Sequence, residues 1–375
     1  MKKIIAVYYP QFHTIKENDN AWGDGFTDWT RVKASKSQFK NHYQPREPLN
    51  NNYYDLSDPK SISEQVKLAQ KYGIYGFCFY HYWFDGKLLL EKPLELFLEN
   101  KTLEMPFCLS WANETWTKRW VGDAKSIIQK QTHIPDKEIW KKHFEYLIPF
   151  FKDNRYIRIN NKPIFIFYQP GIINNLTELL DYWQELAIAE GLPGIYYIAT
   201  KRQKGISKTI KNEFNGIMKY QPQEAYNSND FGGRSILSRV ITNISFAFPE
   251  RIRDHIAKIK DKTRKLNLFD SKKLWNTIIN NAYKPIPNYS GDIFESIYVN
   301  WDNSPRYGNK ANVFSLVKPV EFESYLNKML DKTEESNMDY LFVNAWNEWA
   351  EGAYLEPDKK FEYQYLEAIQ RNLNI

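Results

Sequence analysis

The sequence lacks the features that would place it in a disulfide-rich or membrane-spanning class. Of its 375 residues only Cys78 and Cys108 are cysteines, and both lie in apolar, strand-like segments. Such cysteines are typical of small buried side chains in a reducing compartment, although a bridge between neighbouring strands is an alternative. No apolar run reaches about 18 residues, and the stretch after Met1 is too short for a signal peptide. We therefore expect a soluble, cytoplasmic protein.

Motifs for cofactors, metals and other catalytic classes are also missing. The chain has no GxGxxG or GxxxxGK(S/T) loop for nucleotide phosphates, no HxH or HExxH for zinc, and no GxSxG for an esterase. Six histidines and two separated cysteines predict no metal site, and we expect no cofactor. The net charge of +6 is mild for this length and does not indicate a nucleic-acid partner.

Aromatic residues, in contrast, are abundant. The chain holds 12 Trp, 26 Tyr and 23 Phe, which together make 16% of its residues. A core does not need so many, and aromatic side chains stack well on the flat apolar faces of ligands. The hydrophobic share of 42% and the charged share of 26% are those of a globular protein and exclude wholesale disorder.

Short apolar runs alternate with helical patterns from end to end. The predicted strands cover residues 4–10, 76–84, 107–113, 164–169, 195–200, 216–221, 296–301 and 340–346. Helical patterns cover residues 61–72, 87–98, 136–150, 177–190, 320–331 and 361–373. Nearly continuous apolar strands are typical of parallel strands covered on both faces. Eight such βα units predict one (β/α)₈ barrel over residues 1–375. An open doubly wound sheet is the alternative, but its glycine-rich turn is missing.

Two long insertions interrupt this pattern, at residues 11–59 after the first strand and 226–292 after the sixth. The second contains a basic segment, residues 251–273, in which the apolar side chains would share one helical face. These side chains are Ile252, Ile256, Ile259 and Leu266. We expect a helix packed on the barrel. Weak contact with an anionic membrane surface, or with a lipid-linked glycan, is the alternative.

Candidate substrate-binding residues concentrate at the predicted carboxyl ends of the strands, where barrels of this type form their active sites. Aromatic rings interleaved with Asn, Gln, His, Asp and Glu suit a sugar, which has apolar ring faces and many hydroxyl groups. The candidates are Tyr9, His13, Trp29, Tyr80, His81, Trp83, Trp111, Asn113, Glu114, Trp116, Tyr168, Trp301, Asp302, Trp346 and Asn347. For the aromatic residues the alternative is core packing. For His13 and His81 the alternative is a buried imidazole that forms its hydrogen bonds within the protein.

Glu348 and Glu351 are the candidate catalytic residues. Their spacing places both on one side of a helical turn, with Cβ atoms roughly 5–6 Å apart. One carboxylic acid can protonate the leaving oxygen of a glycoside while the other acts as base or nucleophile. Burial under Trp346 and Trp349 would raise the pKa of one of them. The alternative is a structural Glu348 and a solvated Glu351 at a helix start. Such a close pair predicts retention, since inverting pairs stand roughly 6.5–9.5 Å apart.

Seven segments resemble the WbsX-type proteins of bacterial polysaccharide gene clusters. They are residues 8–13 (YYPQFH), 22–29 (WGDGFTDW), 42–45 (HYQP), 54–56 (YDL), 79–84 (FYHYWF), 111–114 (WANE) and 346–352 (WNEWAEG). That family is similar to glycoside hydrolase family 99, whose members are retaining endo-mannosidases built on a (β/α)₈ barrel. The resemblance implies that Glu348 deprotonates the sugar 2-hydroxyl, which forms a 1,2-anhydro intermediate. It implies that Glu351 is the acid for departure and then the base for water. Ala350 stands where family 99 commonly has His.

Three functional hypotheses follow from these observations. The first is a retaining glycosidase, without metal, that acts on an oligosaccharide or polysaccharide of the bacterial cell surface, such as an O-antigen or other lipopolysaccharide glycan. The second is a glycosyltransferase with a sugar-nucleotide or lipid-linked donor, although the chain has no Asp-x-Asp motif. The third is a non-catalytic glycan-binding barrel, which would keep the aromatic cleft without requiring both Glu348 and Glu351.

Overall fold

The computed structural model describes residues 2–118, 123–202, 206–231, 265–336 and 338–374. Its centre is a barrel of eight strands: β1 (Lys3–Tyr8), β2 (Ile74–Phe84), β3 (Phe107–Trp111), β4 (Lys162–Phe167), β5 (Tyr196–Lys201), β6 (Gly216–Lys219), β7 (Asp292–Tyr298) and β8 (Tyr340–Asn344). Each strand pairs in parallel with the next, and β8 pairs with β1. The predicted (β/α)₈ barrel is therefore confirmed.

Helices follow the strands and cover the outside of the barrel. They are α1 (Lys16–Trp22), α2 (Asp28–Ala34), α3 (Pro59–Lys71), α4 (Lys92–Glu99), α5 (Lys137–Phe151), α6 (Leu176–Ala189), α7 (Lys208–Glu213), α8 (Gln223–Asn227), α9 (Ser271–Asn281), α10 (Ser304–Tyr307), α11 (Pro319–Glu335) and α12 (Gln364–Leu373). Short strands outside the barrel wall are Lys87–Leu89, Trp116–Lys118 with Asp123–Gln129, Arg158–Ile159, Asn267–Phe269 with Asn312–Phe314, and Asn347–Glu348 with Ala353–Tyr354.

Helix α5 shows how local sequence sets these elements. The Asp136 carboxylate accepts a hydrogen bond from the backbone N–H of Glu138 at 2.8 Å and so caps the first turn. Trp140, Phe144 and Leu147 recur at spacings of four and three residues, and all three are buried. One apolar stripe therefore packs α5 against the barrel.

The prediction of one helix over residues 87–98 was wrong at its start. Asp85 and Gly86 both adopt positive φ, at 46° and 106°, and turn the chain back on itself. Lys87–Leu89 then pairs antiparallel with the end of β2. The helix begins only at Lys92, because Pro93 has the fixed φ that suits the first helical turn.

The two insertions contribute unequally to the described structure. Residues 11–59 form α1, α2 and a 3₁₀ turn at Leu49–Asn51. Residues 232–264 lie outside the described part of the chain, and with them the predictions for Ile252, Ile256 and Ile259. Leu266 leads into the strand Asn267–Phe269 instead of lying on a helix. No helix in the described ranges is both long and apolar enough to cross a membrane.

The two cysteines lie opposite each other on neighbouring strands. Cys78 of β2 is in register with Cys108 of β3, and both side chains are buried. Both are free thiols. Burial raises the pKa of the Cys108 thiol well above its ordinary value, and the neighbouring Cys78 raises it further.

Candidate active site

A cavity of about 610 Å³ opens at the carboxyl ends of the barrel strands. Its described lining is rich in tyrosine: Tyr9 follows β1, Tyr80 and Tyr82 end β2, Tyr168 follows β4, and Tyr220 follows β6. The hydroxyl oxygens of Tyr80 and Tyr220 lie 2.6 Å apart. The Tyr168 ring meets both of these rings edge to face. Three of the tyrosines lining the cavity therefore pack against one another, and the hydroxyl groups of two of them meet.

The structure brings eight of the sequence-predicted site residues to this cavity. They are Tyr9, Tyr80, Glu114, Trp116, Tyr168, Trp301, Glu348 and Glu351. The other nine lie outside its described lining: His13, Trp29, His81, Trp83, Trp111, Asn113, Asp302, Trp346 and Asn347.

His81, Trp83 and Trp111 pack behind the barrel wall against α5. His81 Nε2 lies 2.7 Å from His143 Nε2, and burial lowers the pKa of His81 to about 3. The Trp83 ring stacks on His143 with centroids 4.6 Å apart, and Trp111 packs on the same imidazole. Because side chains alternate across a strand, Tyr80 and Tyr82 enter the cavity while His81 and Trp83 point away. Strict alternation along β2 was the sequence signal for this division.

Asn113 and Asn347 join neighbouring strand ends instead of facing the cavity. Asn347 accepts a hydrogen bond from the Tyr9 backbone N–H at 2.7 Å and donates to the Tyr9 carbonyl at 2.9 Å. Asn113 makes the same two contacts with the backbone of Gln169, at 2.7 and 2.8 Å. Each amide therefore continues the sheet ladder by one step beyond its strand.

The remaining residues outside the lining support the loops around the site. His13 Nδ1 lies 3.0 Å from the Pro10 carbonyl. Trp29 donates to the Tyr54 carbonyl at 2.9 Å and packs on Trp349. Trp346 is fully buried and packs on Phe77. Asp302 is also fully buried.

Glu348 and Glu351 lie on a short hairpin after β8. Asn347–Glu348 pairs antiparallel with Ala353–Tyr354, and Trp349–Glu351 forms a 3₁₀ turn between them. Gly352 closes the hairpin with a φ of +64°, a conformation that favours glycine. The spacing of three therefore spans a 3₁₀ turn with Glu348 at its N-cap, so the helical turn expected from the sequence is of the 3₁₀ type.

Arg306 joins the two glutamates to a third carboxylate. Its Nη1 lies 2.5 Å from Glu351 Oε1, and its Nη2 lies 3.3 Å from Glu348 Oε2 and 3.4 Å from Asp28 Oδ2. Asp28 is fully buried, and Arg306 and Glu348 are 7% exposed. Sequence reasoning missed Arg306 and Asp28 as site residues. In the sequence, the only indication for Asp28 was its position next to the candidate Trp29, and no feature of the sequence pointed to Arg306.

Burial has the largest effect on the pKa values of the two glutamates. It raises the pKa of Glu348 from 4.5 to about 8, although Arg306 opposes the shift, while Glu351 and Asp28 add to it. Burial also raises the pKa of Glu351 against the opposing charge of Arg306. The pair therefore keeps a proton near neutral pH and can offer both an acid and a base.

We expect Glu348→Gln to stabilise the fold relative to wild type more at pH 8 than at pH 5. Between pH 4.5 and 8 the unfolded chain loses the Glu348 proton while the folded chain keeps it, so wild-type stability falls as pH rises. Each pKa unit corresponds to about 1.4 kcal/mol, so the gain should reach a few kcal/mol. Urea unfolding of both proteins at the two pH values measures it. An equal difference at both pH values would contradict the raised pKa.

A second charged group lies at the β5 side of the cavity. Arg202 follows β5 and was not predicted from the sequence. Its guanidinium lies 4.1 Å from the centre of the Tyr168 ring, and its Nη1 lies 3.4 Å from Glu114 Oε1. Gln169 donates to the same Glu114 oxygen. Arg202 thus covers one face of the Tyr168 ring, and its donors together with the Glu114 carboxylate are suited to the hydroxyl groups of a sugar.

Sequence comparison assigns the chain to a family. The family model described as Glycosyltransferase WbsX matches residues 4–369. The WxcX protein of Xanthomonas campestris pv. campestris strain B100 is 29% identical over 375 residues, which are 99% of this chain and 49% of the relative. WxcX of strain ATCC 33913 is 28% identical with the same coverage. The chain thus spans about half the length of the curated relatives it matches.

Solved structures share the barrel. The GH99 endo-alpha-mannosidase of Bacteroides thetaiotaomicron gives a TM-score of 0.54 at 13% identity, over 99% of this chain and 96% of the other. A glycoside hydrolase-like protein gives 0.56 at 10% identity, over 99% and 93%. At these identities the likeness concerns the fold alone. The match over nearly the whole chain confirms the resemblance drawn from the seven segments: the chain belongs to the WbsX glycosyltransferase family.

Proposed function

We propose that the protein is an enzyme that cleaves a glycosidic bond in an oligosaccharide or polysaccharide with retention of configuration, using Glu348 and Glu351. The observation that carries the proposal is the meeting of both carboxyl groups at one guanidinium on the wall of an aromatic cavity. The substrate we propose is a bacterial cell-surface glycan, free or lipid-linked.

The proposed reaction has two steps. Glu348 takes the proton of the sugar 2-hydroxyl while that oxygen attacks the anomeric carbon, and Glu351 gives its proton to the departing oxygen. The product of this step is a 1,2-anhydro sugar and a free leaving group. Glu351 then takes a proton from water, whose oxygen opens the anhydro ring at the anomeric carbon, and Glu348 returns its proton to the 2-oxygen. Two inversions at one carbon retain its configuration.

This reaction needs the pair to hold one proton, placed on Glu351. Burial raises the pKa of both carboxyl groups, that of Glu348 to about 8, so the pair holds a proton near neutral pH. The reactive arrangement is the form in which Glu351 carries that proton. When the proton is on Glu351, Glu348 is a strong base because of its raised pKa, and this suits the weakly acidic 2-hydroxyl.

Transfer to an acceptor is the second candidate, and the description of the family as glycosyltransferases favours it. In the same site an acceptor hydroxyl would replace water in the second step. The chemistry of Glu348 and Glu351 would not change, so the two candidates differ only in what opens the anhydro sugar.

Product analysis with isotopically labelled water tests both candidates. The protein is incubated in H₂¹⁸O with the capsule or O-antigen glycan of its source organism, and Glu348→Gln/Glu351→Gln serves as the inactive control. Hydrolysis places ¹⁸O at a new reducing end, whereas transfer gives longer glycans without the label. NMR of the first product reports its anomeric configuration, and inversion would exclude the proposed route. Activity only with a sugar nucleotide and an acceptor would exclude glycoside cleavage. Binding without any turnover would exclude catalysis.

Two tryptophans five residues apart separate glycan binding from folding. Trp116 lines the cavity, whereas Trp111 is buried against His143 and Trp183. We expect Trp116→Ala to lose ~1–3 kcal/mol of glycan affinity, by analogy with base stacking on aromatic rings. Trp111→Ala should instead cost ~3–5 kcal/mol of folding stability. Calorimetric titration and thermal melting of both variants check this, and matching losses of affinity would count against the cavity as the glycan site.

A further inference from the structure

Asp302 holds three separate segments together beside the catalytic hairpin. Its backbone N–H donates to the Glu351 carbonyl at 2.7 Å. Its Oδ1 accepts from the Ser304 N–H at 3.0 Å, at the start of α10, the helix that carries Arg306. Its Oδ2 lies 2.9 Å from His42 Nε2 and accepts from Gln44 Nε2 at 2.6 Å. One buried residue is thus attached to the hairpin, to α10 and to the insertion after β1.

Arg46 adds a second link between Asp302 and the hairpin. Its Nη1 donates to the Gly352 carbonyl at 3.0 Å, and its Nη2 lies 3.7 Å from Asp302 Oδ2. A Cβ at Gly352 would lie only 2.9 Å from Arg46 Cζ, so the guanidinium packs directly on the hairpin backbone. The carboxylate of Asp302 stays ionised in this setting. Burial acts to raise its pKa, but the His42 hydrogen bond and the Arg46 charge hold the pKa at about 2.

We propose that Asp302 is a positioning residue, and not a sugar ligand, that fixes Glu351 and Arg306 relative to each other. The inference rests on the proposed function, because it gives Asp302 a part in that reaction. Glu351 and Arg306 meet through their side chains, and the backbone segments that carry them are both bonded to Asp302. Without this attachment the acid would move relative to the anomeric carbon. A misplacement of about 1 Å is enough to cost ~10²-fold in rate.

Asp302→Asn tests the proposal by its dependence on the leaving group. The amide keeps the shape but has only one oxygen. We expect that oxygen to take the Oδ2 position, where Gln44 and Arg46 are the donors, so that the NH₂ group faces the Ser304 N–H and the bond to α10 is lost. The backbone bond to Glu351 stays in place. We expect a ~10–10²-fold lower kcat for the natural glycan with KM changed less than threefold, since an acid out of place loses rate and not binding. With an activated aryl glycoside the loss should shrink to a few-fold, because that substrate needs little protonation. A loss of equal size for both substrates would overturn the proposal.

Asp153→Asn is the matched control. Asp153 is also buried, accepts from Lys101 and Arg155, and lies before β4 at the opposite end of the barrel. Its variant should lower the melting temperature without lowering kcat. The same kcat loss in both variants would reduce Asp302 to a general stability effect and overturn the proposal. If Asp302→Asn does not fold, Gln44→Ala keeps the carboxylate but removes a donor that orients it toward Ser304, and it should show the same leaving-group pattern in a weaker form.

A measurement without substrate separates this proposal from the proposed function. NMR titration of ¹³C-labelled glutamate carboxyls, with Glu351 assigned through Glu351→Gln, follows the pKa of Glu351 directly. In Asp302→Asn that pKa should rise, because Arg306 no longer lies against Glu351. The lost negative charge of Asp302 alone would lower it, so an unchanged or lower pKa overturns the positioning role. If the wild type cleaves no glycan, the proposed function fails while this titration still decides the role of Asp302.

Discussion

Replacing Glu351 with Gln should cut turnover of the natural glycan by at least ~10²-fold while an activated aryl glycoside keeps much of its first-step rate. A poor leaving group needs the proton of Glu351 as the bond breaks, and a good one does not. Glu348→Gln should be slow with both substrates, because the 2-hydroxyl still needs a base. Steady-state and burst kinetics of the two variants separate these roles.

Glu114→Gln is the control for this comparison. Glu114 lines the same cavity but contacts Arg202 and Gln169 instead of Arg306. We expect it to raise KM with little dependence on the leaving group. A Glu114→Gln variant that behaves like Glu351→Gln would move the role of the acid to Glu114.

A 2-deoxy substrate should be inert with the wild type and with every variant, because it lacks the 2-hydroxyl that attacks the anomeric carbon. Its turnover would exclude the anhydro-sugar route in favour of direct attack by a carboxylate.

Arg306→Met should cost ~3–5 kcal/mol of stability at pH 8, the usual penalty for a buried charge that loses its partner. Without the guanidinium the pKa values of Asp28, Glu348 and Glu351 rise further, since Arg306 lowers all three. The folded chain then keeps protons that the unfolded chain has lost, so stability falls as pH rises. At pH 5 the loss should be much smaller. Urea unfolding between pH 5 and pH 8 measures the difference.

Arg155→Met provides the matched control for Arg306. Arg155 pairs with Asp153 at 2.9 Å and donates to the carbonyls of Asn100 and Leu103, far from the cavity. Burial acts to raise the pKa of Asp153, but its hydrogen bonds with Arg155 and Lys101 lower it, so this carboxyl group is ionised at both pH 5 and pH 8. The stability lost in Arg155→Met should therefore be similar at the two pH values. If Arg306→Met were equally destabilising at both, Arg306 would act through packing and not through the charges of the carboxylate cluster.

The barrel could be predicted because its signal is local. Each strand is a nearly continuous apolar run, and all eight predicted strands overlap an observed one. The prediction failed over Lys87–Leu89, where the turn at Asp85 and Gly86 outweighs a helix-like pattern. For the candidate site, Glu348 and Glu351 stood out by spacing. On β2 the predicted site residues were Tyr80, His81 and Trp83, of which only Tyr80 lines the cavity, and Tyr82, which also lines it, was not predicted.

The sequence by itself determined the closed parallel barrel and the carboxylate pair, since both depend on residues that are neighbours along the chain. Only the tertiary structure decided what surrounds that pair. Arg306 is 42 residues from Glu348 and 278 from Asp28, and barrel closure brings all three together. The tertiary structure also decided that Asp302 is buried among His42, Gln44 and Arg46 instead of facing a sugar. The physical reason is that a polar side chain at a strand end can face the cavity or a neighbouring loop. The partners that stabilise one choice come from distant segments, which no local pattern records.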